Sequence, residues 1–272
     1  MSRVTFGIAE RTGDADKRLL YVETVAESIQ SVERAAAILR LLASGGRPLS
    51  LAELARGMNL PKGTLHGIVR TLVGVGFVEQ DESTSRYRLG PALLHLGSSF
   101  LDVNELRAHA LNWADALAGR SGESAWIGML HDDSVLVIHH VFRPDDSLQI
   151  LQVGTLLPTH ATALGKVLLA FDPYAEAVLP LAALTKKTLV SAADLERELN
   201  QVRVLGWAAE IEELEEGEVA VAAPIRDKRG LVVGAIGIRG ALERLVQGEE
   251  LRMELVSYVR EAARSITRDL SR

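Results

Sequence analysis

Residues 50–89, SLAELARGMNLPKGTLHGIVRTLVGVGFVEQDESTSRYRL, constrain the chain most, because their signals come in an order that few folds accommodate. Ser50 followed by Glu53 is a capping box, in which each side chain satisfies a free amide at a helix start. Leu51, Leu54, Ala55 and Met58 recur at i, i+3, i+4 and i+7, one apolar helical face. A short turn over residues 57–60 follows, and Pro61 suits the first turn of a second helix, in which Leu65, Ile68, Val69 and Leu72 repeat the spacing. The opposite face carries Gly63, His66, Gly67 and Arg70, with Lys62 at the start. Small, polar and basic toward its N-terminal end, that face meets the requirements of a major-groove reader. Gly76 ends the helix, and FVEQ-DESTS-RYRL predicts a hairpin with Arg86 and Arg88 on one face and Tyr87 and Leu89 on the other. Two amphipathic helices and a hairpin would also serve as a protein-docking module. The capping box, the proline-started helix and the basic hairpin in this order favour a winged helix-turn-helix that binds DNA.

An overall formal charge of −6 looks wrong for such a protein until it is divided. Residues 30–98 hold eight basic and five acidic side chains, a surplus of three, which leaves −9 on the remainder. A basic reader joined to an acidic body fits a DNA-binding unit fused to a small-molecule or partner domain. The length of 272 residues suits two domains of ordinary size. The absence of cysteine excludes disulfides, cysteine metal sites and thiol nucleophiles. No stretch is apolar for long enough to span a bilayer and the start lacks a signal-peptide core, so a cytoplasmic protein with no membrane partner is expected.

Residues 1–27 lack sustained periodicity and are expected to form a flexible arm. A first helix begins at Ser31, with Val32, Ala35, Ala36, Leu39 and Leu42 as its stripe, and ends at the Ser44-Gly45-Gly46 run before Pro48. After Gly90-Pro91, residues 91–102 predict a linker helix whose Leu93, Leu94, Leu96, Phe100 and Leu101 are apolar on more than one side, which points to burial against a second copy. A further helix places Leu106, Ala110, Trp113 and Leu117 together. From Glu123 the period changes to that of strands around an Asp132-Asp133-Ser134 turn, with a third strand expected over 148–154. Helices are expected over 159–171 (THATALGKVLLAF, opened by a Thr/His turn), 174–181, 193–205 and 249–272, and a strand pair over EVAVAAPIRD and LVVGAIGIRG. The mixture predicts an α+β fold with an antiparallel sheet. His139 and His140 point to opposite faces of a strand, so a metal site is not expected, although His131, His139 and His160 could in principle converge. Asp132-Asp133 and residues 212–216 predict turn and surface charge. With no nucleophile elbow, catalysis is not expected.

SVERAAAILRLL, LPKGTLHGIVRTL, GFVEQ with RYRLG, LPTHATALGKVLLA and the GWAAEIEELEEG…AAPIRD…VVGAIGI block resemble the IclR family of bacterial transcriptional regulators, over roughly residues 28–270. LDVNELRA and HHVFRPDDS carry a closer likeness to actinobacterial regulators of glycerol operons. The resemblance implies a winged helix-turn-helix (28–90), the linker helix (91–102) and a GAF-like effector domain (103–272). It further implies a one-component repressor that binds palindromic double-stranded operator DNA as a homodimer or tetramer, with a small anionic effector and no cofactor. Lys62, Thr64, His66 and Arg70 would then read or position the major groove, and Arg86 and Arg88 would contact backbone or minor groove. Ala163 and Leu164 match positions whose backbone amides face the effector, and a helix N-terminus attracts anions. Glu210 matches an acidic position, Ala220 one that is often Cys, and Gly237 and Arg239 two that are often Ser or Thr. These departures disfavour a pocket for a small keto acid. An inward Arg239 would favour a phosphate ester such as glycerol 3-phosphate; an outward one would simply end a strand in solvent. The reading from another class is a metabolite-sensing or hydrolytic GAF-like protein with a vestigial helix-turn-helix.

Overall fold

A computed structural model describes residues 29–272 except 45, 103, 173 and 174, so the expected N-terminal arm lies outside the described residues. The chain divides into two compact units, with the division between His95 and Leu96.

The first unit contains α1 (Gln30–Ser44), α2 (Leu51–Met58), α3 (Lys62–Gly74) and the hairpin β1 (Val78–Gln80) and β2 (Tyr87–Leu89). The capping box is formed: the Ser50 hydroxyl accepts the Glu53 amide at 3.3 Å and the Glu53 carboxylate accepts the Ser50 amide at 2.8 Å. Asn59 ends α2 in the left-handed region at φ 49°, which redirects the chain toward Pro61 and α3. Ile38, Leu42, Leu54, Leu65, Val69, Leu72, Val78 and Tyr87 form the core. The inner stripe of α1 thus centres on Ile38, and Val32, expected on that stripe, is exposed in the first turn.

The helix α4 (Ala92–Asp102) follows, with Leu94, Leu96 and Phe100 exposed. The second unit continues with α5 (Glu105–Ser121), β3 (Ser124–His131), β4 (Ser134–Val141), β5 (Leu156–Pro158), α6 (Ala163–Phe171), α7 (Ala192–Leu205), β6 (Ala208–Ile211), β7 (Glu218–Arg226) and β8 (Val232–Ala241). It ends with α8 (Leu242–Leu245), β9 (Val246–Gln247), β10 (Glu250–Leu251) and α9 (Met253–Leu270). Six strands lie in the order β5-β4-β3-β8-β7-β6, every neighbour antiparallel. One face packs on α5 and α9 through Leu117, Ile236, Ile238, Val259 and Ile266. The other packs on α6 and α7 through Val137, Val167, Leu168, Leu195 and Leu199.

Three expectations change. Residues 148–154 are loop, because Gln149 turns its side chain back onto its own segment and strand pairing starts only at Leu156. The described part of the expected helix at 174–181 is irregular and anchors itself by burying Leu181. The last helix begins at Met253, since Glu250 and Leu251 pair with β9.

Candidate DNA-reading surface and ligand pocket

Leu65, Val69 and Leu72 hold α3 in the core, and this leaves Lys62, Gly63, Thr64, His66, Gly67 and Arg70 exposed on its outer side. Among the described residues, Lys62, His66 and Arg70 have no acidic partner, so their charge and hydrogen-bonding capacity face outward. A Cβ added at Gly63 or Gly67 would meet nothing within 4 Å. Glycine costs about 1 kcal/mol against alanine inside a helix, and packing within the unit does not require it at either position.

The wing arginines are differently placed. Arg86 reaches inward: its Nη1 donates to the Pro48 carbonyl and to the Glu53 carboxylate, both at 3.0 Å. Glu53 also accepts from Arg47 at 2.9 Å and from the Ser50 hydroxyl, and its pKa falls to about 2, chiefly through the Ser50 hydrogen bonds. One carboxylate therefore caps α2 and ties down the wing, helped by backbone pairing of Leu49 with Tyr87. Arg88 pairs with Glu79 across the hairpin, both side chains being exposed.

In the second unit, residues of five strands (β3, β5, β6, β7 and β8), Leu214 and the start of α6 enclose a pocket with about 320 Å³ of atom-free space that opens toward solvent. The strand register explains its floor. Glu210, Ala220, Arg239 and Ser124 form one row across the sheet, and Ala208, Ala222, Gly237, Trp126 and His140 form the next. Alanine and glycine in the middle of these rows leave room above the sheet. Gly237 is also demanded by packing, since a Cβ there would fall 2.4 Å from the Val221 carbonyl oxygen. Thr162 caps α6 by accepting the Gly165 amide at 3.1 Å, which leaves the amides of Ala163 and Leu164 free of the cap. The structure thus brings Ala163, Leu164, Glu210, Ala220, Gly237 and Arg239 to one cavity, joined by Trp126, Leu157, Thr162 and Leu214, which sequence reasoning did not single out.

Arg239 lies along the cavity wall near the Trp126 ring, and its guanidinium is held at the rim by Glu215 at 2.7 Å and Glu218 at 3.4 Å. It is neither free in solvent nor free in the pocket. Glu210 is fully enclosed, and one carboxylate oxygen accepts the amides of Glu213 at 2.7 Å and Leu214 at 3.0 Å. Burial raises its pKa, opposed by those two amides and by Arg239.

Behind the pocket lies a group that sequence reasoning missed. Lys166, 1% exposed, donates to Glu213 at 2.5 Å, to the Ala209 carbonyl at 3.1 Å and to Glu198 at 3.3 Å. Residues 212–216 were expected to be surface charge; Glu213 is instead buried against Lys166. The signal was present, since a lone lysine in the apolar run ALGKVLLAF needs a buried partner. The histidines are used singly. His140 packs between Trp126 and Phe142 with its pKa pushed down to about 4 by burial, so its ring is neutral, while His160 meets the Ala182 carbonyl at 3.0 Å. Among the described residues no three histidines or carboxylates are grouped as metal ligands, and no helix is long and apolar enough to cross a membrane.

Residues 31–82 match the family described as the IclR helix-turn-helix domain, and residues 98–268 match the family described as Bacterial transcriptional regulator IclR C-terminal. The glycerol operon regulatory protein of Streptomyces coelicolor is 53% identical over 249 residues, covering 90% of this chain and 98% of the relative. The protein of the same name from Streptomyces griseus is 51% identical over the same shares. Among solved structures, an IclR transcriptional regulator from Alicyclobacillus acidocaldarius superposes with a TM-score of 0.76 at 30% identity, covering 90% of this chain and 98% of that one. With both units matched, and with a capped helix-turn-helix and a pocketed antiparallel sheet in them, the chain belongs to the IclR family of transcriptional regulators.

Proposed function

We propose that this chain acts in the cytoplasm as a homodimeric repressor of a glycerol-catabolism operon, binding palindromic operator DNA and released by a small anionic metabolite, glycerol 3-phosphate. Lys62, Thr64, His66 and Arg70 enter the major groove, with Gly63 and Gly67 letting the α3 backbone approach closely. Arg88 supplies the backbone contact of the wing, and Arg86 contributes chiefly by holding the wing against Glu53. The exposed apolar side of α4 meets its copy in the dimer. In the second unit, Ala163 and Leu164 offer amides to the anion, Arg239 offers its guanidinium, and Glu210, Ala220 and Gly237 shape the floor. The pocket senses and does not turn over its ligand.

One observation supports the ligand assignment: Arg239 and the start of α6, whose Ala163 and Leu164 amides are free of the cap, line the same cavity. A phosphate ester can take the fork that Glu215 and Glu218 now occupy. The glycerol assignment is supported by the 53% identity to the Streptomyces coelicolor relative. The test is a titration of the purified protein against DNA upstream of its own gene and the neighbouring operon, with and without glycerol 3-phosphate. A palindrome-specific shift weakened by the phosphate and not by glycerol is the expected result. Specific binding indifferent to the phosphate would discard the effector; no specific binding would discard the regulator reading at this locus.

A further inference from the structure

The acidic second unit has one basic corner. The β7–β8 turn (226–229) and residues 260–272 carry seven basic and three acidic side chains, whereas the rest of residues 96–272 carries eleven and twenty-three. The Arg226 amide donates to the Thr267 hydroxyl at 3.0 Å, which fastens this turn to α9 and sets the exposed Lys228 at the same end of the helix. The acids of α9 are already engaged. Glu261 accepts from Arg120 of α5 at 2.9 Å, Asp269 accepts from the Trp113 indole of α5 at 2.8 Å, and Glu254 takes the Tyr258 hydroxyl. Arg260, Arg264 and Arg268 follow one another at i, i+4 and i+8, a row with steps of about 6 Å along the helix. Among the described residues Arg260 and Arg264 meet no carboxylate, and Arg268 reaches only the Ser265 hydroxyl, at 3.4 Å.

We infer that this arginine row is a second DNA-contacting surface, which holds the phosphate backbone of a duplex independently of the reader on α3. Guanidinium groups take phosphate oxygens in charge-assisted pairs, often two bonds at once. Like charges at i and i+4 repel one another along a helix, and phosphates laid beside the row relieve that repulsion. The face has no apolar centre: among the described residues no exposed large apolar side chain lies on α9 beyond Met253. A protein partner fits it poorly, because the core of a protein interface is depleted of charge and apolar. The acidic remainder of the unit repels a duplex, which confines the contact to this corner. Such a surface supplies the sequence-independent, salt-sensitive part of DNA affinity, while the specificity stays with α3.

The test is a titration of the full chain against a random-sequence duplex over a salt series, with Lys62→Ala/Arg70→Ala present throughout to remove charge from the reader. The triple variant Arg260→Gln/Arg264→Gln/Arg268→Gln is compared with Arg120→Gln/Lys187→Gln/Arg197→Gln. The second set removes the same charge from exposed side chains that are already paired with Glu261, Glu212 and Asp194. Glutamine is about as good a helix former as arginine, and thermal melts check that the fold is kept. The α9 set is expected to lower the slope of log K against log salt by about 2–3, and the paired set by less than about 1. An unchanged slope in the α9 set overturns the inference, and so does an equal fall in the paired set. An α9 set that keeps its DNA slope and loses affinity for poly-L-glutamate would assign the face to an acidic protein segment and overturn it too.

Discussion

Lys166 fills its three donor positions with Glu213, Glu198 and the Ala209 carbonyl, deep between α6, α7 and β6. Removing it strands a buried carboxylate. Lys166→Met is expected to cost about 3–5 kcal/mol in urea denaturation, and adding Glu213→Gln is expected to restore part of the loss. Glu210 makes a second case. Its pKa is raised, so the stability it contributes is complete below the ordinary value of 4.5 and is lost as pH rises through the raised value. Glu210→Gln keeps an oxygen for the two amides; its melting temperature is expected to fall less than that of wild type over the same pH range. At the DNA surface, Lys62→Ala or Arg70→Ala is expected to lower the dependence of log K on log salt by about one. Arg86→Ala is expected to weaken all DNA binding with the salt slope kept, because its guanidinium is spent on Glu53 and Pro48. The sequence made the basic residues visible. It could not tell an outward arginine from an inward one, since Arg86 and Arg88 share one face of the wing and only the Glu53 carboxylate of the neighbouring helix separates their roles.

The elements that were legible are those in which local and tertiary preferences agree. The capping box, the short turn over 57–60 and the apolar spacing of α2 and α3 all point the same way, and β7 alternates over most of its length. The loop at 148–154 failed because its leucines and isoleucine carry the composition of a strand, while the Gln149 side chain spends its hydrogen bonds on the local backbone. Helix α3 offers a test at this scale. Gly67→Ala is expected to stabilise the protein by about 1 kcal/mol through helix propensity, because the added Cβ meets nothing in the unit. The same methyl is expected to lower operator affinity, a trade visible by pairing thermal melts with DNA titration. In α6 the opposite holds: Gly165→Ala drives a Cβ to 2.2 Å from the Thr159 carbonyl oxygen and is expected to destabilise by about 1–3 kcal/mol.

For the whole molecule, the division of charge between a basic front and an acidic body was readable from residue counts, and so was the change of period after residue 123. The pocket was not readable by pattern, because its floor is assembled by cross-strand register between segments distant in sequence, Trp126 facing Gly237 and Ala220 facing both Glu210 and Arg239. The resemblance supplied those positions, and the register explains why they share a face. Two compact units predict two calorimetric transitions. Glycerol 3-phosphate is expected to raise only the transition of the second unit, by about 2.7 kcal/mol at a hundred times its Kd. A shift in the first unit alone would contradict the location of the ligand.

The two rows under the pocket also say how such a receptor can be given a new appetite. Gly237 is locked by the Val221 carbonyl and Arg239 is committed at the rim, whereas Ala220 and Ala222 are small residues on β7 that face them, Ala220 opposite Arg239 and Ala222 opposite Gly237. Diversity introduced at these two alanines reshapes the floor without moving a strand. A library of Ser, Thr, Val and Asn at Ala220 and Ala222 is therefore the shortest route from this regulator to sensors for other small acids, with the DNA half left untouched.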